Sequence, residues 1–228
     1  MESTVVSEIF PLLNAAEIET LDWLLSVAIE QEFSAEEVIL SDQSWGNAVY
    51  FIVSGWVKVR RWHHQAPITL SIQGRGDFFG ESAILDEPPR ATEIVALSDT
   101  KVISISAQRF IQSLFQDSQL HHKLLQMTVR RLRQMDTRLQ LQHYPPVVKL
   151  AHTLVTLAET YGKPTEQGME ILLPPEQDLA DIADLNLENI QKFLNKFQNN
   201  GWLELNVDNQ TLSLTNSRQL SHLATASL

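Results

Sequence analysis

Three features of the sequence predict an α+β fold. Apolar residues recur at helical spacing near the N-terminus and again beyond residue 107. Short β-rich runs broken by glycine lie between them, and a proline pair near residue 145 precedes a second helical stretch that ends in a hairpin. Residues 8–30 are predicted helical, because Ile9, Phe10, Leu12, Leu13, Ile18, Leu21, Leu24, Leu25, Val27 and Ile29 follow a helix-like recurrence. From Phe33 to about Ala107 the β-rich runs 38–40, 48–53, 57–59, 68–70, 93–96 and 101–105 predict strands. Gly46, Gly55, Gly74, Gly76 and Gly80 mark the turns between them. Many short strands at regular spacing predict a barrel of jelly-roll type.

A long helix is predicted next, from about Ala107 to Gln142. Leu125, Leu132 and Leu139 lie seven apart, with Thr128 and Met135 three residues after the first two. Such a narrow seam flanked by Arg130, Arg131, Arg133 and Arg138 predicts pairing with a second copy through residues 118–142. Pro145 and Pro146 end the helix and make residues 144–146 the expected hinge. Helices are then expected over 147–161, from about Pro174 to Ala183, and over 187–197, with a tight turn at Asp184-Leu185-Asn186 and a stop at Gly201. Runs 202–205 and 211–214 flank a turn at Asp208-Asn209. Helix, short turn, helix and hairpin predict a winged helix-turn-helix.

The totals exclude several classes. The 228 residues contain no cysteine, which removes disulfides, thiolate zinc sites and cysteine-held iron–sulfur clusters. No apolar run reaches the length of a membrane span, and the N-terminus lacks a basic, then apolar, leader pattern. A cytoplasmic location with no membrane partner is expected. His63-His64 and His121-His122 are adjacent pairs, and neighbours in a strand or helix point apart, so no metal site is expected. Neither a nucleophile triad, a Walker-type loop nor a paired-carboxylate cleft is evident, so no enzyme is expected.

The segment 79–92 carries the most specific chemistry. Glu81 can accept from a ribose hydroxyl, and Arg90 offers a fixed fork of donors to phosphate oxygens. Pro88 and Pro89 stiffen the approach to Arg90. Phe79-Gly80-Glu81-Ser82-Ala83 followed by Pro89-Arg90-Ala91-Thr92 resembles the phosphate-binding cassette of cyclic-nucleotide-binding domains. The full order of barrel, long helix and winged module resembles the cyclic AMP receptor protein and fumarate–nitrate reduction regulator family over nearly the whole length. The resemblance implies a cyclic-nucleotide-binding domain over 1–117, a dimerisation helix and hinge over 118–144, and a DNA-binding module over 145–228. It implies a ligand site of Gly80, Glu81, Ser82, Arg90, Ala91 and Thr92, with Met135 and Asp136 where nucleotide-responsive members carry paired hydroxyls. Asp136 can accept a base amine. Ala91 lacks the hydroxyl that cyclic-GMP-selective domains tend to place there, so cyclic AMP is the expected ligand and cyclic GMP the runner-up.

For the DNA side, the resemblance implies a reading surface of Gln177, Asn186, Leu187, Glu188, Asn189, Gln191 and Lys192, and RNA polymerase as a partner. Leu187 stands where the family usually has an arginine, and cannot make that residue's guanine contact, worth roughly 1–3 kcal/mol. Residues 145–228 hold five Lys/Arg against ten Asp/Glu, a net charge of −5, within a chain of net −11. Phosphate neutralisation supplies much of DNA affinity, so DNA binding is expected to be weak. The alternative is a member with degenerate DNA or ligand binding that acts as a heterodimer with a related regulator or as a protein-interaction partner.

Overall fold

The computed structural model describes residues 6, 8–41, 47–63, 66–85 and 92–225. The chain divides into two compact units, one of Met1–Pro67 with Ser71–Met135 and one of Ile68–Leu70 with Asp136–Leu228.

In the first unit the predicted N-terminal helix is broken. A 3-10 turn at Leu13–Ala15 precedes α1 (Ile18–Ser26), and the chain leaves it as strand β1 (Ile29–Phe33). Pro11 has no N–H to donate to an uninterrupted helix. Strand β1 pairs antiparallel with β8 (Thr100–Ser106), which claims Ile29 for the sheet. Between these lie β2 (Val38–Leu40), β3 (Ala48–Ser54), β4 (Trp56–His63), β5 (Ala66–Gly74), β6 (Phe78–Phe79), a short helix α2 (Ser82–Leu85) and β7 (Glu93–Ala96). Two four-stranded sheets result, ordered β1-β8-β3-β6 and β2-β7-β4-β5. The period of two along β3 divides its side chains between two cores. Tyr50 and Ile52 join Leu40, Val57, Phe79, Ile94 and Val102, drawn from both sheets. Val49 and Phe51 face the helices, where Phe51 meets Phe10 and Phe110 edge-on at 5.5 and 6.3 Å.

The predicted 107–142 helix is two helices, α3 (Ala107–Gln116) and α4 (Ser118–Leu141). Asp117 separates them in an extended conformation, and only 1% of its surface is exposed. Its carboxylate accepts the N–H groups of Gln119 at 3.0 Å, Leu120 at 2.9 Å and Glu17 at 2.7 Å. One buried acid therefore caps α4 and ties down the approach to α1. No proline or glycine announces the break, and a cap of this kind depends on partners distant in sequence.

In the second unit α5 (Pro146–Tyr161) carries proline in its first turn, where a missing N–H costs nothing. A hairpin of β9 (Lys163–Thr165) and β10 (Gly168–Leu172) follows, then α6 (Glu176–Ala183), α7 (Leu187–Asn199), β11 (Glu204–Asn206), β12 (Thr211–Leu214) and α8 (Ser217–Thr225). The four strands form one sheet, β11-β12-β10-β9, so the predicted hairpin is one half of a larger wing. Helix α8, also unanticipated, packs on α5 and buries Leu220 and Ala224. Asp184 ends α6 with φ 53°, and its carboxylate accepts from Lys149 Nζ at 2.9 Å.

Candidate ligand site and candidate DNA-reading helix

Buried Gly80 has φ +93°, a conformation glycine adopts without steric cost. It turns the chain out of β6 into α2, where the Glu81 carbonyl accepts the N–H groups of Ile84 and Leu85 at 3.0 Å each. The Glu81 side chain is thereby fixed in a largely buried position, with Ser82 exposed at the start of α2. Thr92 is half-buried immediately before β7. Arg90 and Ala91 lie outside the described residues.

Arg131 of α4 completes the visible site. Its Nη1 donates to Glu81 Oε1 at 2.5 Å and its Nη2 to the Phe78 carbonyl at 2.8 Å. The guanidinium also lies 4.4 Å from the centre of the Phe78 ring. Three interactions thus fix one fork, and the acid expected to meet a ribose is joined to the long helix. Sequence reasoning placed Arg131 on the flank of the dimer seam and missed this role. The available signal was its position one helical turn before Met135, with a fork suited to a carboxylate. A carboxylate accepts several hydrogen bonds, so the Arg131 contact leaves capacity for a hydroxyl. Glu81, held in place by Arg131, therefore fits a sugar hydroxyl of a cyclic nucleotide.

Met135 and Asp136 are exposed. At about 100° per residue, Asp136 is turned roughly 140° around the helix from Arg131. The two do not share a face of the helix. Arg138 likewise leaves the predicted flank, donating through Nη2 to the Asp181 carbonyl at 2.9 Å. Burial lowers its pKa, against the raising influence of Asp184 and Asp181. The buried side of α4 carries Leu120, Leu124 and Leu141. Its opposite side exposes Leu125, Val129, Leu132, Met135 and Leu139, with Leu132 at 56% and Leu139 at 59%. The structure thus adds Val129 to the predicted seam.

On the DNA side, Asn186 is the N-cap of α7, its side chain accepting from the Asn189 N–H at 2.9 Å. Leu187 is 41% exposed, Glu188, Gln191 and Lys192 are also exposed, and Asn189 is half-buried. Lys192 Nζ lies 5.8 Å from the Phe193 ring centre. Two predicted readers are engaged within the module. Gln177 donates to Asp181 at 2.8 Å, and Gln191 donates to Glu176 at 2.7 Å. Acids on α6 therefore hold amides that base reading would need. Among the described residues there is no cluster of three metal-ligating side chains, and no helix is long and apolar enough to cross a membrane.

A two-sheet barrel with a Gly-Glu turn backed by an arginine is followed along the chain by a long helix and a winged module. The cyclic nucleotide-binding domain family matches residues 30–117. A CRP-like cAMP-activated global transcriptional regulator of Mycobacterium tuberculosis is 24% identical over 198 residues, covering 85% of this chain and 87% of that protein. The Cyclic AMP receptor protein of Thermus thermophilus is 26% identical over 198 residues, covering 86% and 88%. The structure of FixK2 from Bradyrhizobium japonicum shares the fold with a TM-score of 0.77 at 22% identity, covering 89% of this chain and all of that one. The domain match and the regulator relatives along most of the chain support the cyclic AMP receptor protein and fumarate–nitrate reduction regulator family, and the fold agrees with it. Residues 30–117 match a cyclic nucleotide-binding domain, and the relatives that match along most of the chain are transcription regulators.

Proposed function

We propose that the protein is a dimeric transcription regulator that binds a cyclic nucleotide, cyclic AMP in preference to cyclic GMP, in its barrel and DNA through α7. The ion pair between Glu81 and Arg131 carries the reading, because it links the ribose-recognising acid to the helix on which a second copy would pack. Residues 1–117 would serve as the ligand domain, 118–144 as dimerisation helix and hinge, and 145–228 as the DNA module. Glu81 would accept from the ribose, and Arg90 would hold the phosphate. Arg131 would orient Glu81. Asp136, turned toward the seam, would meet the base held by the opposite copy. Ligand shifts such a protein only if it binds two dimer arrangements with different affinity.

A homodimer explains why one side of α4 exposes an apolar stripe while the other is buried. Leu132→Glu should yield monomer, and light scattering that finds the unaltered protein monomeric at micromolar concentration would defeat the reading. Calorimetry with cyclic AMP, cyclic GMP and cyclic di-GMP tests the ligand, and DNA selection with whichever binds tests the module. A second reading has its own observation. Gln177 and Gln191 are held by Asp181 and Glu176 in a module of net charge −5, which favours a protein-interaction partner with degenerate DNA binding. Failure to enrich any DNA with saturating ligand would select it.

A further inference from the structure

A cavity of about 610 Å³ lies at the β1 edge of the sheet β1-β8-β3-β6, within the size range of small-molecule sites. Its floor is one face of three neighbouring strands. Ile29 of β1 stands opposite Ser104 of β8, and Ser104 stands opposite Tyr50 of β3. Two residues along β8, Ser106 stands opposite Ala48. All five line the cavity. Tyr50 is buried and its ring stacks on Phe79 at 5.2 Å, which fixes that wall. Ser104 is 8% exposed, and its hydroxyl donates to the Ile29 carbonyl over a long 3.4 Å, so its oxygen keeps acceptor capacity. The Ser106 side chain makes no capping bond to α3.

Arg109 joins this floor from the first turn of α3. The Ala107 N–H donates to the Asn47 carbonyl at 2.8 Å, and Phe110 is fully buried, so both the start and the rotation of α3 are fixed. Arg109 lines the cavity, and its guanidinium makes no ion pair or hydrogen bond with another described residue. No described acid lines the cavity. Glu30 and Glu32 of β1 alternate to the other face of the strand, where both meet Lys101, at 2.9 and 3.5 Å. In a chain of net charge −11, this leaves one uncommitted cation beside a group of hydroxyls.

We propose that this cavity is a second ligand site, for a small hydroxylated molecule carrying one oxyanion, a carboxylate or a phosphate. The fork of Arg109 takes the oxyanion. Ser104, Ser106 and Gln31, which also lines the cavity, exchange hydrogen bonds with the hydroxyls. Ile29 and Ala48 pack against the carbon skeleton. Neither Glu81 nor Arg131 lines the cavity, so the inference stands apart from the nucleotide reading above.

Saturation-transfer NMR on the full chain tests it. Gluconate supplies the carboxylate, glucose 6-phosphate the phosphate, and glucose is the neutral control. At least one of the two anions should bind with Kd below about 1 mM, and glucose about tenfold more weakly or worse. The tighter of the two identifies the oxyanion. Arg109→Gln, a change at an exposed position, should weaken the anion about tenfold or more. Ser104→Val should weaken it severalfold, and Glu81→Ala should leave it unchanged. Absence of transfer from both anions, equal affinity for glucose, or full affinity in Arg109→Gln overturns the inference. Loss of binding in Glu81→Ala overturns it as well, because the probe would then sit at the Gly80-Glu81 turn.

Discussion

Glu81 and Arg131 are fifty residues apart, and their contact joins two parts of the chain that sequence reasoning had treated separately. The cassette spelled out Glu81 and Arg90, because glycine, acid and arginine at that spacing have few other uses. Arg131 was hidden because its partner is chosen by the packing of α4 on the first unit. Glu81→Ala should weaken cyclic nucleotide binding roughly ten- to hundredfold, since a hydrogen bond to a charged group contributes about 1.5–3 kcal/mol. Arg90→Ala should abolish the calorimetric signal. Arg131→Ala should weaken binding less, about tenfold, with partial recovery in Arg131→Lys, because Arg131 orients the acceptor. Full affinity in Arg131→Ala would reduce the ion pair to a packing contact. Leu187 poses the opposite problem: its departure was plain in the sequence, and the structure leaves it exposed at the head of α7. Leu187→Arg should enrich guanine-containing half-sites in a selection from random DNA at low salt. Strong enrichment of a palindrome by the unaltered chain at physiological salt would show that Leu187 is not a deficit.

Among the elements, the strands of the barrel, α6, α7 and the second half of the wing were legible, because alternation, caps and turn residues are local signals. Four features were not: the break of the 8–30 stretch, the short β6 and α2, the division at Asp117, and the β9–β10 hairpin with α8. Each is decided by a distant partner, such as β8 for Ile29 or the Glu17 amide for Asp117. Burial alone would raise the Asp117 pKa, but hydrogen bonds from Leu120, Glu17, Gln119 and the Thr20 hydroxyl outweigh it, and the net shift is downward. A carboxyl depressed in the folded state stabilises fully above its unfolded value, about 3.9. That contribution is lost as pH falls through the lower folded value. Asp117→Ala should cost on the order of 3 kcal/mol in urea unfolding at neutral pH, from three stranded amides. Asp117→Asn should flatten the decline of stability below pH 4. An unchanged acid profile in that variant would place the acid sensitivity elsewhere.

At the scale of the whole molecule, charge is distributed against function as the family would use it. Helix α4 carries Lys123, Arg130, Arg131, Arg133 and Arg138 against Asp136 alone, in a chain of net −11. A local excess of basic residues thus sits on α4, while the winged module proposed to approach DNA phosphates is net acidic. On the proposed function, ligand control and DNA affinity make separate demands, and the exposed stripe of α4 is where a ligand would act. On that proposal a base amine held by the opposite copy donates to Asp136, so the ligand bridges the two helices. Ligand binding and dimer formation are then coupled, and reciprocity requires that each strengthen the other by the same factor. Saturating cyclic AMP should tighten the dimer of the unaltered chain about tenfold in sedimentation equilibrium. In Asp136→Ala, which offers the base amine no acceptor, the gain should fall to about twofold or less. Cyclic AMP affinity should rise with protein concentration through the dimerisation range in the unaltered chain and stay flat in that variant. An equal ligand-driven gain in both proteins would detach Asp136 from the coupling and leave the ion pair between Glu81 and Arg131 as its route.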